Sequence, residues 1–222
     1  MNGLYRLIRF SLLTICLLPA PAVADSVAPP PTIEHHQLAL ELSPDSHRLI
    51  ATDRVTVAGG FPGQELAFSL APTLVLERVE DLTHCQDPCE FAPSVPFARD
   101  RSSSQAESQR ILLKQPPANQ AGGAIRLNFV YHGVIDDPPR DPRHLRFVTP
   151  SETAGHTGPE GVYLSSERQW YPALDDSLAT YDVRITLPEG WAAVTQGTAQ
   201  ADASRWIVST KSEALTVVAN RF

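Results

Sequence analysis

The sequence predicts an all-β fold, either an antiparallel β-sandwich or two abutting sheets. Apolar and polar residues alternate along most of the chain, which is typical of strands that bury one face. Turn signals rich in Gly, Pro, Asp and Ser separate these alternating runs. The period of about 3.6 residues that marks an amphipathic helix is not found in the sequence. We expect roughly nine to twelve short strands at this spacing.

The first three predicted strands follow one another closely. Residues 37–42 alternate, residues 49–57 continue the pattern after a turn at 44–46, and residues 65–70 follow a Gly- and Pro-rich break at 59–63. Because the connections are short, we expect these three strands to be linked as hairpins.

Further runs rich in Val, Ile, Leu and aromatic residues supply the remaining predicted strands. They are residues 74–82, 110–114, 124–131, 181–187, 205–210 and 214–219. Three segments interrupt the pattern and are predicted to be loops. They are the Pro-rich lead-in at 25–32, the polar segment 92–109, and the Pro- and Arg-containing segment 136–160.

Residues 1–24 have the features of a signal peptide. Arg6 and Arg9 form a basic start, residues 10–18 form a short apolar run, and residues 22–24 read Ala-Val-Ala, a small-residue cleavage site. The alternative is a membrane anchor, but this apolar run is far shorter than the roughly 20 residues that span a bilayer. We therefore predict a secreted or periplasmic protein, cleaved after Ala24, with no transmembrane span in the mature chain.

The charge of the chain argues against one class of partner. The formal net charge is −7, and removal of the signal peptide makes the chain more acidic. Nucleic-acid binding requires clustered Lys and Arg to contact phosphates. We therefore expect no nucleic-acid partner.

Cys85 and Cys89 are the two cysteines that remain after cleavage of the signal peptide. In an oxidising compartment the expected state is a disulfide between them. The closed loop is short, so the chain-entropy model assigns it only about 2 kcal/mol of stability. The alternative is a metal site that recruits His84, but a fourth ligand is missing nearby.

The segment 161–191 carries a family resemblance. It reads Gly-Val-Tyr-Leu-Ser at 161–165, Trp170-Tyr171-Pro172, and then Ala-Thr-Tyr-Asp-Val from residue 179, ending in a Pro188-Glu-Gly turn before Trp191. This order resembles the amino-terminal β-domain of the M1 zinc aminopeptidases. Weaker similarity at 36–57 and 131–135 extends the resemblance to a domain of residues 33–222. It implies a saddle-like arrangement of sheets.

The aromatic residues of this segment also have a physical reading. Trp170, Tyr171, Tyr181 and Trp191 lie near predicted strand ends, where large rings contribute much buried area. We therefore expect core packing for most of them. The Pro188-Glu-Gly190 sequence predicts a tight turn, because Pro presets φ and Gly accepts positive φ.

The chemistry of the M1 family is missing from this sequence. That chemistry requires His-Glu-x-x-His, in which two imidazoles bind zinc and the glutamate activates water. None of the seven histidines is followed by Glu, and the family's Gly-Ala-Met-Glu-Asn motif is missing too. We therefore predict no catalytic residue and no metal or cofactor in this chain, with zinc held by an inferred catalytic domain.

Two hypotheses for the whole protein follow. The first is a truncated chain, the amino-terminal part of an M1-type metallopeptidase whose catalytic domain lies beyond Phe222 in cis or is supplied in trans. Its substrate would be a peptide with a free amino terminus. The second hypothesis is a free-standing envelope module that binds protein or peptide without catalysis.

Glu167 and Gln169 are the candidate substrate-facing residues. The resemblance implies that loops of this domain line the substrate cleft and that some members offer a Gln or Glu to the peptide's amine. Carboxylate and amide oxygens can accept hydrogen bonds from an ammonium group. The alternative is an ordinary exposed turn.

Other catalytic patterns are not found in the sequence, which lacks a Gly-x-Ser-x-Gly elbow and a Gly-rich phosphate loop. The acid pairs Asp136-Asp137 and Asp175-Asp176 could suggest calcium. Adjacent strand residues point to opposite faces, however, so solvated acids or turn caps are the expected interpretation.

Overall fold

The computed structural model describes residues 30–59, 64–85, 89, 91–100, 108–113, 123–137, 153–202 and 204–222. The predicted signal peptide at 1–24 lies outside the described residues, as does most of the lead-in at 25–32 and the central part of each of the two longer predicted loops. Within the described residues no helix is long and apolar enough to cross a membrane.

The described residues form fourteen β-strands and two short 3-10 helices, at Pro44–Ser46 and Ser166–Arg168. The strands are β1 (Thr32–Ser43), β2 (Arg48–Ala58), β3 (Leu66–Leu70), β4 (Leu74–Asp81), β5 (Phe97–Asp100), β6 (Gln109–Leu113), β7 (Ile125–Val134), β8 (Gly155–Gly158), β9 (Gly161–Leu164), β10 (Ala179–Thr186), β11 (Trp191–Thr195), β12 (Thr198–Ala199), β13 (Arg205–Ser212) and β14 (Val217–Arg221). The predicted all-β class is confirmed.

The strands are arranged in three sheets rather than two. A seven-stranded sheet has the order β12-β13-β10-β1-β2-β7-β4, a four-stranded sheet has the order β11-β14-β9-β8, and a three-stranded sheet has the order β3-β6-β5. Strand β10 lies parallel to β1, so the large sheet is mixed rather than purely antiparallel. Periodicity within a strand cannot reveal this pairing, because it does not specify a distant neighbour.

The first predicted hairpin is confirmed, and the second is wrong. Strands β1 and β2 pair antiparallel from Ser43 opposite Arg48 to Thr32 opposite Ala58. Strand β3 instead pairs with β6 in the three-stranded sheet. The chain therefore changes sheet between β2 and β3.

Two strands lie within segments that were predicted to be loops. Strand β5 falls within 92–109, and β8 falls within 136–160. Strand β8 reads Gly-His-Thr-Gly, and all four of its residues are buried. It was missed because small and polar residues give no alternation of large apolar side chains, although the strand pairs fully with β9.

The core lies on the inner faces of these sheets. Its largest fully buried side chains include Trp170, Tyr131, Phe68 and Phe129. Phe68 of the three-stranded sheet meets Phe129 of the seven-stranded sheet edge-on, with ring centroids 4.8 Å apart. Burial of each such side chain contributes about 1.5–3 kcal/mol, so this contact joins two sheets into one core.

Candidate functional site

The turn that follows β9 carries both sequence-predicted substrate-facing residues. We call residues 165–169 the 165–169 turn. Its first residue, Ser165, caps the short helix Ser166–Arg168, because the Ser165 hydroxyl accepts a hydrogen bond from the Glu167 backbone N–H at 3.2 Å. Its last residue, Gln169, has φ 52°, a left-handed conformation that is uncommon outside Gly. Such strained residues cluster at functional sites.

Hydrogen bonds at both ends hold this turn in place. The Ser165 N–H donates to the carbonyl oxygen of Ala154 at 2.9 Å, and the Ala71 N–H donates to the carbonyl oxygen of Gln169 at 2.7 Å. The turn is thereby tied to the start of β8 and to the connection between β3 and β4. Side chains carried by this turn are therefore presented from a fixed backbone.

The two candidate residues differ in how accessible their side chains are. Glu167 is exposed, so its carboxylate can accept hydrogen bonds from a ligand ammonium group. Gln169 is half-buried, and its Oε1 is buried without a hydrogen-bond partner among the described residues. An incoming amine cannot reach that oxygen in this conformation. Glu167 is therefore the stronger candidate.

The Trp-Tyr-Pro element directly after the turn is core, as predicted. Trp170 is fully buried and contacts Tyr171 edge-on, with ring centroids 4.8 Å apart. The Tyr171 hydroxyl accepts a hydrogen bond from the Leu215 N–H at 3.2 Å, which links the element to the segment before β14. Trp191 is only partly buried and lies 5.3 Å from the Arg221 guanidinium.

A buried polar pair lies behind this aromatic element. Nδ1 of His36 lies 2.7 Å from Oδ2 of Asp53, and both side chains are buried. The His36 ring stacks on Tyr181 and meets Tyr171 edge-on. Burial raises the pKa of Tyr131, Tyr171 and Tyr181, and the Asp53 charge adds to each shift. This pair was not predicted from the sequence, although polar residues at inward positions of β1 and β2 are a detectable signal.

Cys85 and Cys89 form a disulfide with their Cα atoms 5.5 Å apart. This pairing agrees with the predicted bridge and removes the thiolates that the alternative metal site with His84 requires. Asp175 and Asp176 are exposed in a turn, and Asp176 has φ 57°. Their position in a turn agrees with the interpretation of these two residues as solvated acids or turn caps.

An exposed apolar row crosses the outer face of the four-stranded sheet. Val194 of β11 lies opposite Val218 of β14, and Val218 lies opposite Tyr163 of β9. Their exposed fractions are 63%, 47% and 40%, which is high for large apolar side chains. We call these three residues the apolar row. Strand β9 ends at Leu164, so the row lies in the sheet that leads directly into the 165–169 turn.

No protein-family model matches the sequence, and a comparison with curated proteins finds no significant match. Solved structures do match. The M1 zinc metallopeptidase from Deinococcus radiodurans has 17% sequence identity and a TM-score of 0.58, with 86% of this chain aligned to 42% of that chain. A variant of a two-domain M1 zinc metallopeptidase bound to L-arginine has 18% identity and a TM-score of 0.56 over the same shares.

Native leukotriene A4 hydrolase from yeast shows the same likeness, with 12% identity, a TM-score of 0.59, and 86% of this chain aligned to 29% of that chain. This chain therefore corresponds to less than half the length of each of these three proteins. The described residues have the fold of the amino-terminal β-domain of M1 zinc metallopeptidases.

Proposed function

We propose that this chain is the non-catalytic amino-terminal β-domain of an M1-type zinc metallopeptidase that acts on peptide amino termini. The observation that carries the proposal is the fold, which aligns with a minor part of the length of M1 enzymes. The zinc motif His-Glu-x-x-His is missing from the sequence. The catalytic domain and its zinc are then supplied in cis, beyond Phe222, or in trans. None of the observations favours the free-standing module.

The apolar row is the surface that we assign to contact with the zinc domain. Tyr163, Val194 and Val218 lie side by side on one sheet face, and contiguous exposed apolar side chains mark interaction surfaces. The occupant that we propose is the catalytic domain, because the matched enzymes have most of their length outside the aligned region.

The 165–169 turn follows strand β9, which contributes Tyr163 to the apolar row. Glu167 is exposed there on a fixed backbone. Its carboxylate would accept hydrogen bonds from the ammonium group of a bound peptide. The chain therefore contributes binding and positioning, while water activation belongs to the zinc domain.

The proposed compartment is the periplasm or the extracellular space. Residues 1–24 carry the features of a cleaved export signal. The Cys85–Cys89 disulfide supports an oxidising compartment, because such bonds are rare where thiols are kept reduced.

The first test is to sequence the gene beyond the codon for Phe222 and to assay the products. We expect an open frame that reaches His-Glu-x-x-His and a downstream Glu. The extended protein should hydrolyse aminoacyl anilides in a zinc-dependent manner, and residues 25–222 by themselves should not. A stop codon directly after Phe222, together with no stimulation by a purified M1 catalytic domain, would contradict the proposal and favour a binding module.

A further inference from the structure

Three residues that are far apart in the sequence meet beside β8. His47 follows the 3-10 helix between β1 and β2, Asp136 follows β7, and His156 lies within β8. Asp136 and His156 form an isolated antiparallel bridge. One ring nitrogen from each histidine and one carboxylate oxygen of Asp136 lie within 4.8 Å of one another.

His156 is arranged as a metal ligand would be. Its Nε2 lies 2.6 Å from Oε1 of Glu160, so this carboxylate accepts the ring proton at Nε2 and leaves the lone pair at Nδ1. That Nδ1 is buried and makes no hydrogen bond, although Oδ1 of Asp136 lies 3.2 Å away. A lone pair that faces a carboxylate oxygen is repelled by it. A cation between the two atoms removes the repulsion.

His47 also has a hydrogen-bond acceptor at one ring nitrogen. Its Nδ1 lies 2.5 Å from the carbonyl oxygen of Thr157. A carbonyl oxygen can only accept, so Nδ1 donates and a lone pair remains on the other ring nitrogen. Metal-bound imidazoles commonly donate their second nitrogen to a carboxylate or a backbone carbonyl. Both histidines therefore already have such an outer partner.

The spacing also suits a shared ion. Two ligand atoms about 2.1 Å from one tetrahedral centre lie about 3.4 Å apart. Oδ1 of Asp136 lies 3.2 Å from Nδ1 of His156, which is close to this spacing. The side chains of His47 and Asp136 are 34% and 42% exposed, whereas that of His156 is 6% exposed.

We propose that His47, Asp136 and His156 form a binding site for Zn²⁺ or a similar divalent transition-metal ion. Two imidazoles and one carboxylate are a ligand set that such ions prefer, with a fourth position left for water. This proposal differs from the sequence-based expectation that the chain holds no metal. The site joins the turn between β1 and β2 to the four-stranded sheet, and it does not depend on the proposed function.

The test uses purified residues 25–222 after removal of metals with a chelator. Zn²⁺ is titrated by calorimetry, and Co²⁺ is titrated by its visible absorption. We expect one ion per chain and a higher melting temperature with Zn²⁺. Asp136→Asn and His47→Gln should each lower the affinity at least tenfold. Glu160→Gln should lower it about tenfold through the outer partner of His156.

Asp137→Asn and His132→Gln are the matched controls. Asp137 is adjacent to Asp136 but outside the cluster, and His132 pairs with Glu77 elsewhere. Circular dichroism checks that each variant is folded. If His47→Gln does not fold, the affinity of Asp136→Asn decides the test, because Asp136 is exposed.

The competing arrangement is a metal-free cluster in which a proton on Nδ1 of His156 takes the place of the ion. It predicts no saturable binding of Zn²⁺ or Co²⁺ and no change in melting temperature. That result would overturn the proposal. Equal affinities of Asp136→Asn and Asp137→Asn would overturn it as well.

Discussion

His36 and Asp53 form a buried pair across the first hairpin. Nδ1 of His36 lies 2.7 Å from Oδ2 of Asp53, and the two side chains are 2% and 0% exposed. In the register of β1 and β2, Leu38 lies opposite Asp53, so His36 and Asp53 are diagonal neighbours on one face. Both occupy positions that the strand pattern directs into the core.

Removal of one member of this pair should strongly destabilise the fold. Asp53→Ala leaves Nδ1 of His36 buried without an acceptor, and we expect the free energy of unfolding to fall by about 3 kcal/mol. Urea unfolding measures this loss. Glu41→Ala, an exposed change on β1, is the control. In a double-mutant cycle with His36→Ala, the two losses should not add, and additive losses would show that the pair does not interact.

The buried tyrosines should make stability fall at alkaline pH. Burial raises the pKa of Tyr131, and the Asp53 charge contributes as well. Unfolded tyrosine ionises near pH 10, whereas buried tyrosine stays protonated. The unfolded state therefore releases protons that the folded state retains. The resulting stabilisation is complete below about pH 10 and is lost as the pH rises above it.

Tyr131→Phe should make this alkaline loss smaller. The Tyr131 hydroxyl has no hydrogen-bond partner among the described residues, so its removal should cost little at neutral pH. Urea unfolding from neutral pH to about pH 11 gives the slope of stability against pH. Tyr163→Phe on β9 is the control for loss of a hydroxyl. An unchanged slope in Tyr131→Phe would contradict the assignment.

Glu167→Gln should weaken substrate binding in the extended protein. Loss of a charge-assisted hydrogen bond to the peptide ammonium should raise KM about tenfold and leave kcat nearly unchanged. Steady-state hydrolysis of aminoacyl anilides provides both constants. Glu189→Gln, also exposed in a turn, should have no effect. If both variants behave like wild type, Glu167 is an ordinary surface residue.

Val218→Asp should disturb the contact with the zinc domain but not the β-domain itself. Val218 is 47% exposed at the centre of the apolar row. In residues 25–222 the change should alter stability by no more than about 0.5 kcal/mol. In the extended protein it should lower the melting temperature or the activity. Val75→Asp, at an exposed apolar position on β4, is the matched control, and equal effects of both changes would exclude the row as the contact.

The Cys85–Cys89 disulfide should contribute modestly to stability. Replacement of both cysteines by Ser should lower the free energy of unfolding by about 2 kcal/mol or less, because the closed loop is short. Urea unfolding of the variant, compared with the oxidised and the reduced wild type, measures the contribution of the disulfide to the free energy of unfolding. Thiol titration of the denatured, unreduced protein should detect no free thiol at these two positions. Two free thiols there would contradict the bridge.

The alternation of apolar and polar residues was sufficient to predict a strand wherever buried and exposed positions alternate. The run predicted at 37–42 falls within β1, Thr32–Ser43, because its apolar residues face the core at every second position. The same reasoning failed for Gly155–Gly158, where small and polar residues are buried in β8. It also failed to indicate the cluster of His47, Asp136 and His156, since no short spacing connects them.

The sequence by itself determined the all-β class, most of the strands, the pairing of Cys85 with Cys89 and the lack of a zinc-peptidase motif. These properties follow from alternation, composition and spacing, which are local. Only the tertiary structure decided the three sheets, the parallel pairing of β10 with β1, the exposure of Glu167 against the buried Gln169 oxygen, and the meeting of His47 with His156. The reason is physical: these relationships depend on which distant strands pair, and pairing is set by the packing of the whole core.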